Sequence, residues 1–101
     1  MTTPEKKVKK KVVALLLKYS SYYFYPVTAG YGASGVPDIV ACVQGKFIGI
    51  ECKAGKNKPT ALQAKNLRMI EKSGGVALVI NEDNLSVLEG VLNGAGAIET
   101  A

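Results

Sequence analysis

The chain predicts an α/β domain, a mixed β-sheet flanked by helices in the order α-β-β-β-α-β. Three observations carry that expectation. Apolar residues recur at helical spacing near the front, at Val8, Val12, Leu15, Leu16 and Tyr19. Two β-prone runs then flank Gln44-Gly45, a two-residue hairpin turn in which glycine supplies a positive φ. Beyond them a capped helical segment ends at Gly74-Gly75 and leads into the apolar run Val76 to Ile80, the pattern of a crossover into a buried strand.

The first helix is expected from about Pro4 to Tyr19, with Thr3 as N-cap and proline in the first turn, where its missing N–H costs nothing. Tyr22 to Val27 reads as an aromatic-rich strand and Thr28 to Pro37 as a glycine-rich loop. The hairpin strands run from Asp38 to Val43 and from Lys46 to Cys52, and the second helix from Pro59-Thr60 to Ser73. Asp83 to Leu92 reads as a short helical appendage, with a frayed tail from Asn93. No repeat or linker divides residues 1–101, and a chain of this length builds a single core.

Thirteen Lys and Arg against eight Asp and Glu give a net charge of +5 and favour a polyanionic partner. Cys42 and Cys52 both fall in strands, where they read as buried reduced thiols, and a cytosolic setting is expected. The lysines before Val12 to Leu17 faintly resemble a secretory signal, but Lys18 ends the apolar run after six residues, so neither secretion nor a membrane partner is expected. With no histidine in the chain, His-based nucleases and Ser-His-Asp hydrolysis are excluded.

The chemistry concentrates on the hairpin. If Val43 pairs with Lys46, Asp38 falls opposite Glu51, and Lys53, two residues further on, shares their face. Opposed carboxylates destabilise an antiparallel pair, so the pairing implies a cation between them, and oxygen ligands of this kind suit Mg²⁺ or Mn²⁺. The plain alternative is that Asp38 bonds a turn amide while Glu51 and Lys53 decorate a solvated strand.

Taken together, Gly35-Val36-Pro37-Asp38, Ile50-Glu51-Cys52-Lys53 and Gln63 resemble the VRR-NUC branch of the PD-(D/E)xK nuclease superfamily, over roughly Glu5 to Ile80. That branch holds small stand-alone phage proteins and the nuclease domain of a eukaryotic crosslink-repair enzyme. The resemblance implies a restriction-endonuclease-like core. It also implies that Asp38, Glu51 and the Cys52 carbonyl hold Mg²⁺, with Mn²⁺ able to substitute, while Lys53 orients the attacking water or neutralises charge on the phosphorane.

Two further residues have competing readings. Glu5 extends the apolar stripe of the first helix, and the resemblance makes it a glutamate that reaches the active site. Alternatively, it is an acid favoured in the first turn by ~0.3–1 kcal/mol through the helix dipole. Gln63 maps onto the motif glutamine beside the lysine, yet Thr60-Ala61-Leu62-Gln63 is also a capping box. The tyrosine frequent further along this helix in the family is absent, with Leu67 in its neighbourhood.

Two phosphate-binding patterns fail on context. Gly30 to Gly35 matches G-x-G-x-x-G, but Val36-Pro37 follows where a dinucleotide fold begins a helix. Gly49 to Lys56 has five residues between its glycines, one more than a Walker A loop, and Asn57 where Ser or Thr belongs. No nucleotide cofactor is expected. Gly35 remains a candidate for close backbone approach to DNA phosphate, with Lys56 and Lys58 as positive charge at the mouth of the site. Lys6, Lys7, Lys9, Lys10 and Lys11 form a second basic strip.

These features predict a metal-dependent, structure-selective DNA endonuclease. Its small size leaves little surface for reading sequence, and a homodimer would present two sites with two-fold symmetry to branched DNA such as a Holliday junction. By analogy with the family, a phage protein in a bacterial host, or a protein of the bacterial cytoplasm, is expected. A flap or single-strand nuclease of the same family, and a non-catalytic nucleic-acid-binding module, are the alternatives.

Overall fold

A computed structural model describes residues 2–27 and 35–100, the side chains of 95–100 excepted. Its elements are α1 (Pro4–Lys18), β1 (Tyr22–Phe24), β2 (Ile39–Val43), β3 (Lys46–Cys52), α2 (Ala61–Lys72), β4 (Val76–Ile80) and α3 (Leu85–Thr100). The strands form one sheet in the order β1-β2-β3-β4. The first three strands meander antiparallel, and α2 carries the chain across to β4, which runs parallel to β3. The mixed sheet flanked by helices is the predicted architecture.

Alternation along the strands separates two faces. Ile39, Ala41, Val43, Ile48, Ile50 and Cys52 point to one, where they are buried with Val8, Val12 and Leu16 of α1, Ile80 of β4, and Leu88 and Leu92 of α3. Leu15 and Tyr19 complete the stripe of α1 as partly buried neighbours of this core. Thr3 Oγ1 accepts from the Lys6 N–H at 3.2 Å and caps the helix. The opposite face of β3 receives α2. A Cβ on Gly49 would sit 2.5 Å from Ile70 Cδ1 and 3.1 Å from Pro37 Cγ, so glycine is what lets α2 settle against the strand.

Several elements differ from expectation. β1 stops at Phe24, short of Val27, because it is an edge strand and Pro26 has no N–H to offer the ladder. Cys42 is exposed rather than buried, since it alternates with inward-facing Ala41 and Val43, while Cys52 is buried as expected. β4 is only half-buried before Ile80 because it forms the other sheet edge. Asp83 lies before α3 instead of starting it. Its N–H donates to Asn81 Oδ1 at 2.8 Å, and Asn84 Oδ1 accepts from the Asn81 N–H at 2.7 Å, a compact turn that delays the helix to Leu85. The helix then continues to Thr100, past Asn93 where a frayed tail was expected. Among the described residues no helix is long and apolar enough to cross a membrane.

Candidate active site

The hairpin turn places Gln44 and Gly45 at φ 50° and 78°, the conformation whose twist suits a two-residue connection. Its register pairs Val43 with Lys46 and Ile39 with Ile50; Asp38, expected as the first residue of this strand, lies in the bend just before it, close enough to act on Glu51. The Lys53 N–H donates to the Ile80 carbonyl at 2.9 Å, prolonging the parallel ladder past β3 and fixing the lysine backbone on the face of the two acids. Among the described residues no turn amide donates to Asp38. Its Oδ2 accepts from the Cys52 N–H of the facing strand at 2.9 Å, which orients the carboxylate across the hairpin.

Glu51 is the exception in this interior. It is 1% exposed, the one buried charged residue among those described, and as a carboxylate neither of its oxygens finds a donor. Burial, reinforced by the Asp38 carboxyl and opposed by Lys53, pushes its pKa from 4.5 up to about 8. On the other face, burial and then the charge of Asp38 drive the Cys52 thiol up to about 12, so it is an inert packing group rather than a nucleophile.

A buried acid with two unpartnered oxygens beside a second acid is costly unless something positive completes it. Hard oxygen donors fit a hard divalent cation. Among the described residues no cluster of three or more Asp, Glu, His or Cys side chains converges, so Asp38 and Glu51 could anchor such an ion only with backbone, water or substrate oxygens. That donor set matches the habit of Mg²⁺, which keeps waters and binds through one or two carboxylates plus phosphate.

No family model matches the chain. It is 31% identical over 90 residues to "Putative nuclease p44" of Acyrthosiphon pisum secondary endosymbiont phage 1, covering 88% of this chain and 95% of that protein. A solved VRR_NUC domain protein shares its fold, with a TM-score of 0.65 at 20% identity over 88% of each chain. The chain belongs to the VRR-NUC family of PD-(D/E)xK nucleases, as a small phage-type member.

Within this VRR-NUC fold the remaining candidates are distributed unevenly. Gln63 forms the capping box in full: its Oε1 accepts from the Thr60 N–H at 2.9 Å, and Thr60 Oγ1 accepts from the Gln63 N–H at 3.2 Å. Among the described residues no hydrogen bond or ion pair joins it to Asp38, Glu51 or Lys53. Glu5 stands half-exposed on α1 and acts electrostatically on the Cys52 thiol. Lys56 and Lys58 are exposed on the loop after Lys53.

Gly35 sits at φ +76°, and a Cβ there would come within 2.9 Å of the Leu62 backbone carbon. This packing requirement stands whether or not its amide meets phosphate. Gly35→Ala is expected to destabilise the fold by about 1–3 kcal/mol, read by urea denaturation, because alanine must adopt both a strained φ and a clash. Residues 28–34 of the glycine-rich loop lie outside the described residues.

Sequence reasoning missed one contact that shapes the approach to the site. Glu82 Oε1 accepts from the Gly55 N–H at 2.6 Å, tying the loop that carries Lys56 to the turn after β4. Nothing local announces a pairing of residues so far apart in the chain.

Proposed function

We propose that this chain is a metal-dependent, structure-selective DNA endonuclease that hydrolyses phosphodiester bonds and works as a homodimer on branched DNA, the four-way Holliday junction foremost. The observation that carries the proposal is Glu51, buried with two unpartnered oxygens, opposite Asp38 and on the same sheet face as Lys53. A mere binding surface has no use for opposed carboxylates where a phosphate must approach. Membership of a nuclease family supports the same reading.

Asp38, Glu51 and the Cys52 carbonyl would hold Mg²⁺, with Mn²⁺ as a substitute. When bound, the ion supplies positive charge at the scissile phosphate and lowers the pKa of a water. The Cys52 amide keeps Asp38 aimed into the site. The Lys53 ammonium, on the face of both acids, orients the attacking water or offsets negative charge as the phosphorane forms. Lys56 and Lys58 hold the flanking phosphates without reading sequence.

A labelled panel of four-way junction, flap, single strand and linear duplex, incubated with Mg²⁺, Mn²⁺ or EDTA, tests the substrate. Cutting of the junction in preference to the others is expected, and preference for a flap or single strand would overturn the junction assignment. Light scattering on the eluting protein is expected to return twice the 10.6 kDa chain mass. A monomer at micromolar concentration would remove the two-fold geometry the junction needs.

A further inference from the structure

Lys6, Lys7, Lys9, Lys10 and Lys11 occupy the first two turns of α1, the end where the macrodipole is already positive. The spacings 6–9, 7–10, 6–10 and 7–11 set like charges side by side along the helix surface, which weakens it. Among the described residues no ion pair reaches any of the five; the salt bridge of α1 is at its other end, Lys18 to Glu89 at 2.7 Å. Such an arrangement is unfavourable alone and becomes favourable against a polyanion.

Three of these lysines do more than face solvent. Lys6, Lys9 and Lys10 line a cavity of about 340 Å³ together with Val13 and the half-exposed ring of Tyr25. Ammonium groups, an aromatic face and an apolar floor in one concavity match a nucleotide, with phosphate at one end and a base at the other. We propose that this cavity is a second nucleic-acid site, which takes an unpaired nucleotide with its phosphate on Lys6, Lys9 and Lys10 and its base against Tyr25.

Its position argues for an unpaired strand. Helix α1 covers the sheet face opposite Asp38, Glu51 and Lys53, and Tyr25 follows Phe24, whose partner Val40 lies two residues from Asp38 at the end of the sheet where β3 finishes. Cavity and active site therefore flank the end of β3. A strand that engages both must turn around that end, which a stiff duplex does not do. The proposal rests on the nuclease reading only for the identity of the polyanion.

Fluorescence anisotropy with a labelled 15-residue oligothymidine tests it, in an Asp38→Asn background so that binding is read without cleavage. Replacing Lys6, Lys9 and Lys10 together by Gln is expected to weaken binding by roughly tenfold or more and to flatten the log K against log salt slope by about 2, three single-strand phosphate contacts at about 0.7 each. Tyr25→Ala is expected to weaken the oligothymidine about fivefold or more and to leave blunt-duplex binding unchanged. The control is Lys7→Gln with Lys11→Gln, outside the cavity lining, expected to lose less than about 1.5-fold. An equal loss per lysine in the control, or an unaffected Tyr25→Ala, would overturn the site in favour of diffuse charge. Cleavage by the Mg²⁺-loaded wild-type protein is scored separately: absence of cutting with the cavity effects intact sinks the nuclease reading alone, and cutting without those effects sinks the cavity alone.

Discussion

Alanine at Asp38, Glu51 or Lys53 is expected to lower the single-turnover cleavage rate by at least about 10³-fold, because each removes charge stabilisation realised only as the phosphorane forms. The reason lies in the arrangement. Asp38 is locked by a strand amide, Glu51 is a buried acid whose carboxylate oxygens find no donor, and Lys53 is the cation opposing their repulsion. Folding should survive all three changes. Far-ultraviolet circular dichroism and the melting temperature separate lost chemistry from lost structure. Undiminished cleavage by any one variant removes that residue from the mechanism.

The second large effect is on stability, and its sign follows from Glu51. Its folded pKa of about 8 lies above the ordinary 4.5, so between those values the folded chain keeps a proton that the unfolded chain has released. Unfolding then sheds protons, and metal-free stability falls as pH rises from about 4.5 to 8, after which both states are ionised and the loss is complete. In EDTA the melting temperature is expected to drop by at least about 5 °C across that window. Glu51→Gln should abolish most of the slope and melt higher than wild type at pH 8, because a neutral amide ends the repulsion from Asp38 and can donate to it. The same variant should be inactive, so the site trades stability for function. Millimolar Mg²⁺ should restore the wild-type melting temperature at pH 8 and leave Glu51→Gln unmoved. A flat wild-type profile in EDTA would show that Glu51 is already compensated within the chain.

Most of the core was legible because its determinants are local. The Gln44-Gly45 turn fixes strand parity, and parity alone sets Asp38 against Glu51 and places Lys53 beside them. Thr3 and Thr60 announced their helices by side-chain chemistry, and the predicted caps form. The same parity could have exposed Cys42, since Ala41 and Val43 on either side of it face the core. What stayed hidden depends on distant contacts. The closeness of Gly35 to Leu62 and the bond from Gly55 to Glu82 link segments brought together only by the finished fold. The length of α3 was misjudged: a frayed tail was expected from Asn93, whereas the helix runs on to Thr100. For Glu5 the stripe spacing placed the residue on α1, close enough to act on the Cys52 thiol.

Calorimetric titration of Mn²⁺ into the metal-free protein at pH 8, beside Glu51→Gln, tests most directly whether the acid pair is a cation site. Saturable binding by the wild type that the variant loses is the predicted result. Equal binding by both proteins, or no binding by a wild type that still cuts DNA in EDTA, would contradict the account.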